Sequence, residues 1–179
     1  MGVILFLLNW WGINYIDFAL MRVSNLTPID TLVIGKPVQS YSWAVAPTIK
    51  VCADTKVPLF RIQQAVHYWE DLGYDFDGIY IDHQPNCMNP KFGEIIITLP
   101  EPGFSPDHIA ATRVYTLKKT NEIIKTKIFI LPKHARKSRV LEHEIGHALG
   151  WKHYPQRYHI MHPKWELSGH NSSGLKKVD

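Results

Sequence analysis

The residues able to do chemistry crowd into one stretch, His143-Glu144-Ile145-Gly146-His147-Ala148-Leu149-Gly150-Trp151-Lys152-His153. Residues four apart share a helix face, so His143 and His147 can aim two imidazoles at one point. Glu144 flanks that point without having to join its ligand set. Gly150 can take positive φ and turn the chain sharply off the helix, bringing His153 round as a third nitrogen. Three neutral imidazoles hold a tetrahedral zinc with one position open, which is the arrangement of a catalytic site and not of a closed structural one. Five positions are fixed at set spacing, and a chance match anywhere in the chain is on the order of one in ten thousand or rarer. The expected cofactor is therefore one Zn2+, with His143, His147 and His153 as ligands and Glu144 as general base for an attacking water.

These residues need a helix to carry them. The stretch from 136 to 149 reads as that helix, with Val140, Leu141, Ile145, Ala148 and Leu149 in its interior. An earlier amphipathic helix is clearer still. Pro58 sits at its first turn, Leu59, Ile62, Val66, Trp69 and Leu72 recur at three- and four-residue steps, and Gly73 ends it. The segments 48–53, 78–82, 94–99, 109–117 and 123–131 are rich in Ile, Val, Thr and Tyr and are separated by Pro, Gly, Asn and Lys clusters, so they read as strands. One more strand is expected at 31–34. The order is strand, helix, four strands, helix and an irregular tail. It predicts an α+β fold: a single domain with a twisted mixed β-sheet and an active-site helix carrying the histidines.

The bulk numbers are those of a globular domain. Of 179 residues, 45% are hydrophobic and 20% charged, enough for a sizeable core. A net charge of +4 is too mild to call for a nucleic-acid partner, and none is expected. The basic residues do cluster, at Lys118, Lys119, Lys125 and Lys127 and at Lys133, Arg136, Lys137 and Arg139. They form either solvated faces or a surface for acidic substrates. The two cysteines, Cys52 and Cys87, permit one disulfide without demanding it. A free buried pair is the other reading, and a third has Cys87 blocking the metal. Residues 1–21 are almost wholly apolar, broken by Asn9, Asn14 and Asp17. Four readings of them are open: a membrane anchor, an atypical signal, an apolar arm packed on the domain, or an over-called start with Met21 as the first residue. The domain proper is taken as 22–179. Localisation stays open, with secreted or membrane-anchored ahead of intracellular or particle-associated.

The run HEIGHALGWKH resembles the long zinc-binding motif of the metzincin clan of metallopeptidases, HExxHxxGxxH. Members of that clan carry a methionine turn below the metal. Ile160-Met161-His162-Pro163 offers one, and its Met-x-Pro pattern is similar to the matrixin branch. The helix RIQQAVHYWEDLGYDF resembles the first helix of matrixin catalytic domains, and the strand order after it matches theirs. The resemblance covers about residues 45–178. It implies a zinc endopeptidase acting on peptide or protein substrates. Met161 would then be an apolar floor under the metal, and Trp165 would wall the pocket for the side chain after the cut bond. The strand 109–117, with Ala110, Ala111 and Thr112, would be an edge to which substrate adds as a further strand.

The chain also departs from the matrixin pattern. Tyr154 stands where matrixins usually have serine, and His162 where they have tyrosine after the methionine. No counterpart of the loop that supplies a structural zinc and calcium is found, so a single zinc is expected and calcium is left open. Some relatives stabilise the oxyanion with a tyrosine two places after the methionine. Position 163 is proline, which leaves Tyr154, Tyr158 or His162 as substitutes. The competing reading is a zinc-stabilised structural or binding domain of a larger assembly, and the presence of Glu144 argues against it.

Overall fold

The computed structural model describes residues 13–18 (as a backbone path), 35–84, 87–105 and 107–177. The expected strand at 31–34, and the rest of the apolar segment 1–21, lie outside them. Among the described residues seven strands form one mixed sheet: β1 (Ile13–Phe18), β2 (Ser42–Trp43), β3 (Thr48–Cys52), β4 (Gly78–Asp82), β5 (Glu94–Thr98), β6 (Ala110–Leu117) and β7 (Glu122–Ile130). The order across it is β1-β6-β7-β5-β3-β4, with β2 pairing the start of β7. Strands β4, β3, β5 and β7 run parallel, while β6 is antiparallel to β7 and β1 antiparallel to β6.

Burial follows that order. All five residues of β5 are buried, as expected for an interior parallel strand covered on both faces. β6 alternates instead: Ala110, Thr112, Val114 and Thr116 are buried, while Ala111, Arg113, Tyr115 and Leu117 are half-buried. The buried set faces helix α2 (Val140–Ala148), which packs on β6 and β7 and against helix α1 (Leu59–Glu70).

Both helices differ in detail from their sequence patterns. In α1 the buried stripe is Arg61, Ile62, Ala65, Val66 and Trp69, while Leu59 and Phe60 stay exposed. The stripe takes in Arg61 because its guanidinium meets both carboxylate oxygens of Glu142 at 2.9 Å. Helix α2 starts at Val140 and not at 136. Arg139 ahead of it adopts φ 69°, which no helix continues through, and residues 132–134 form a separate 3-10 turn. All nine residues of α2 are buried. Trp69 Nε1–H donates to the Glu142 carbonyl, Trp43 Nε1–H to that of Ala148 and Gln39 Nε2–H to that of Leu149. The last two satisfy carbonyls at the buried C-terminal end of α2, which cannot turn to water, while Trp69 ties α1 to a carbonyl in the first turn of α2.

Strand β6 is not the sheet edge that the resemblance implied. Among the described residues β1 flanks it, in register from Ile13 opposite Leu117 to Phe18 opposite Thr112. No helix among the described residues is long and apolar enough to cross a membrane.

Cys52 and Cys87 are joined in a disulfide packed on Ile96, so Cys87 is not a thiol that could block a metal. The bridge ties the end of β3 to the segment after β4, closing a loop of sequence separation 35. Chain-entropy arguments give such a loop about 4 kcal/mol. Replacing both cysteines by alanine should therefore lower the thermal midpoint, and reductant should lower that of the unaltered protein by a comparable amount. A melting curve of each reads this directly.

Candidate active site

Helix α2 presents His143 and His147 one turn apart, and Gly150 then ends it. The Gly150 N–H bonds to the His147 carbonyl and the Trp151 N–H to that of Gly146, with Gly150 at φ 95°. This paired geometry is a left-handed helix stop. Space is as strict as conformation here, because a Cβ at Gly150 would lie 2.0 Å from the Tyr41 carbonyl oxygen. The turn brings His153 back over the helix, as its spacing predicted. Its ring centroid lies 5.3 Å from that of His143 and 4.6 Å from that of His147. One ring nitrogen from each of the three lies within 4.8 Å of the other two.

The hydrogen bonds fix which nitrogens these are. His143 Nδ1 is 2.7 Å from the Ile160 carbonyl, and His147 Nδ1 is 2.7 Å from that of Trp151. A carbonyl only accepts, so each Nδ1 carries the proton and each Nε2 offers a lone pair. Those two Nε2 atoms stand 3.0 Å apart, facing one another without a proton between them. His153 Nε2 is buried and has no hydrogen-bond partner among the described residues. Two nitrogens on one tetrahedral zinc lie about 3.3 Å apart. The donor set thus fits a single metal ion held by His143, His147 and His153.

Burial tunes the same groups. It pushes the His143 imidazole down to about 3 and His153 to about 4, and it drives His147 well below the ordinary value; neighbouring histidines push the same way. All three are neutral at pH 7, as metal binding requires. Glu144 is fully buried beside them, and burial raises its carboxyl to about 8, opposed by a hydrogen bond from Thr112. The Thr112 hydroxyl donates to Glu144 Oε2 at 2.6 Å, while Oε1 has no hydrogen-bond partner among the described residues. Thr112, expected as a substrate-edge residue, therefore turns its side chain inward to the glutamate. Ala110 and Ala111 precede it on β6.

Met161 is wholly buried against α2 at Gly146. A Cβ on Gly146 would meet its Sδ at 2.4 Å and the Trp69 ring at 2.7 Å. The close seating of the methionine thus depends on the missing side chain at 146. A glycine inside a helical pattern is the signal that would have pointed to this. The methionine turn also delivers the Ile160 carbonyl to His143, and the Met161 carbonyl accepts from the Tyr154 N–H at 2.9 Å. Trp165 lies against the entry to α2. Its Nε1–H donates to the Ser138 carbonyl, with Lys137 and Arg139 over its ring. The Tyr154 hydroxyl donates to the Gly35 carbonyl, Tyr158 is exposed, and His162 Nδ1 accepts from the Lys164 N–H. The basic clusters are partly committed as well: Lys127 pairs with Glu101, and Arg139 Nη1 donates to the carbonyls of Trp165 and Ser168.

The matrixin family model matches residues 46–179. The chain belongs to the matrixin family. No curated protein and no solved structure gave a match. The matched span of the matrixin domain includes both helices, the sheet from β3 onward, the three histidines and Met161, while β1 and β2 lie outside it. The mixed sheet with two helices is the fold expected of a matrixin.

Two outcomes follow for this matrixin. Gly150→Ala meets both positive φ and the Tyr41 carbonyl, and should cost at least about 2 kcal/mol in a denaturant titration. The second concerns the metal-free protein and pH. The histidines are depressed in the fold, so their stabilisation is complete above the unfolded value near 6.5 and is lost as pH falls below it. Glu144 is raised, so its contribution is present below the unfolded value near 4.5 and is lost as pH rises towards 8. Three groups outweigh one in acid. Stability should therefore peak near neutrality and fall towards pH 5 in metal-free thermal melts, and saturating zinc should counter the acid loss.

Proposed function

We propose that this matrixin is an active zinc-dependent endopeptidase. One observation carries the reading: imidazole nitrogens with their lone pairs turned inward converge beside a buried glutamate with one oxygen unoccupied. A purely structural site has no need of that carboxylate. His143, His147 and His153 would hold the metal, and Met161 would floor it. Zinc bound there supplies a Lewis acid that acidifies water and polarises a carbonyl.

The chain's own residues supply the rest. Thr112 holds Glu144 Oε2, and Oε1, buried and without a hydrogen-bond partner among the described residues, would accept the proton of the attacking water. Glu144 then returns that proton to the leaving nitrogen. The C–N bond breaks, and one water is consumed to give a carboxylate and an amine. Burial of Glu144 suits it to both duties, because it narrows the gap between its proton affinity and that of its partners. The substrate backbone would run along β6 at Ala110 and Ala111, which lie beyond the end of β1, and Trp165 would border the pocket past the cut bond.

The test pairs a quenched-fluorescent peptide library with metal analysis. Zinc-loaded protein should cleave. Glu144→Gln should keep its zinc and lose about 10²–10⁴-fold in kcat/KM. His153→Ala should lose zinc as well as activity. Wild-type protein that holds one zinc yet cleaves no member of the library would overturn the proposal in favour of a structural or binding domain.

A further inference from the structure

Strand β6 has two sides. β7 holds one from Ala110 to Thr116, and β1 holds the other from Thr112 to Leu117. A peptide that adds to β6 needs the side that β1 occupies, because strand addition uses an unpaired row of N–H and C=O groups. Only Ala110 and Ala111 lie outside the register of β1.

The place where β1 stops matters. Its last residue, Phe18, is opposite Thr112, and the Thr112 hydroxyl is the one bonded to Glu144 Oε2. The segment therefore runs along β6 and ends beside the general base. Six residues in extended form cover about 20 Å. That is the reach of a peptide lying along one half of a cleft. The segment INYIDF is rich in residues that favour strands, as a resident strand requires. It also lies outside the span matched by the family model, which begins at residue 46.

We propose that Ile13–Phe18 is a built-in substrate mimic. It fills the Thr112–Leu117 half of the peptide-binding edge of β6, and an extended peptide must displace it to bind there. The proposal rests on the endopeptidase reading for its purpose but not for its test. Tethering gives the resident strand a high effective concentration, so a peptide in solution competes at a disadvantage until β1 lifts off.

The test uses the full chain. In an antiparallel pair alternate residues donate across the ladder, so two adjacent prolines remove at least one bond whichever way the alternation falls. Ile16→Pro/Asp17→Pro should release β1 and leave the histidines and Glu144 untouched. A fluorescent peptide of sequence INYIDF should bind this variant at least ten-fold more tightly than it binds the wild type, by polarisation. Equal affinity for the two proteins would overturn the proposal. Should the variant fail to fold, hydrogen exchange of the wild type decides. Amides of residues 112–117 facing β1 should exchange by local opening, well ahead of those facing β7. Exchange of both sets only on global unfolding would mark β1 as a permanent strand and sink the idea.

Peptide turnover separates the two readings. Tighter binding by a variant that cleaves nothing keeps the mimic and removes the endopeptidase. Cleavage by both proteins, with equal peptide affinity, keeps the endopeptidase and removes the mimic.

Discussion

Imidazole lone pairs facing one another 3.0 Å apart inside a protein repel. That repulsion is the constraint around which the rest of the structure is arranged. It persists because the other face of each ring is committed. The carbonyls of Ile160 and Trp151 can only accept, so neither His143 nor His147 can turn a proton inward without giving up a buried hydrogen bond. A cation at the centre converts the repulsion into three bonds. The donor set therefore suits a positive ion, and packing elsewhere keeps the three rings in place.

That packing is concentrated on helix α2. A nine-residue helix with every residue buried has no water to satisfy its ends. At its C-terminal end the carbonyls are met instead by the indole of Trp43 and the amide of Gln39. Glu142, one residue before the first histidine, is buried too, and Arg61 from α1 pairs with it across both oxygens. Such a pair contributes little net stability over an apolar one, yet losing either partner strands a buried charge. Its use here is registry: it fixes how α1 and α2 lie against each other and hence where the helix face carrying the histidines points. Gly146 completes the arrangement by letting Met161 and Trp69 close on the helix backbone beneath that face.

What the sequence made legible was local. The spacing of His143, His147 and His153, the need for a sharp turn at Gly150, and the strand and helix periods all depend on residues near one another in the chain. Within the described residues these reappear in the fold with boundaries moved by a few residues, while the strand expected at 31–34 lies outside them. Long-range partners were not legible. Nothing near Arg61 announces Glu142, nothing near Gln39 announces the carbonyl of Leu149, and the inward turn of Thr112 depends on which face of β6 the helix covers. The start of α2 was misplaced because periodicity cannot register a single left-handed residue such as Arg139, whose side chain is anchored to the distant carbonyls of Trp165 and Ser168. The strand at Ile13–Phe18 was hidden by composition, since an apolar run that long reads as an anchor, a signal or an arm before it reads as a partner for β6.

Thr112 joins these levels. Its backbone is paired on both sides, to Ile128 of β7 and to Phe18 of β1, while its hydroxyl holds the carboxylate of Glu144. Whatever lies along the outer side of β6 is therefore one residue removed from the group that would move the proton. A shift of β6 by a few tenths of an ångström on exchange of its outer partner would be felt at a 2.6 Å hydrogen bond. Peptide docking and base positioning then share one strand, and a well-seated backbone is a condition for a well-placed Glu144. Such sharing lets binding along the chain of a substrate, away from the bond that breaks, contribute to the rate at that bond.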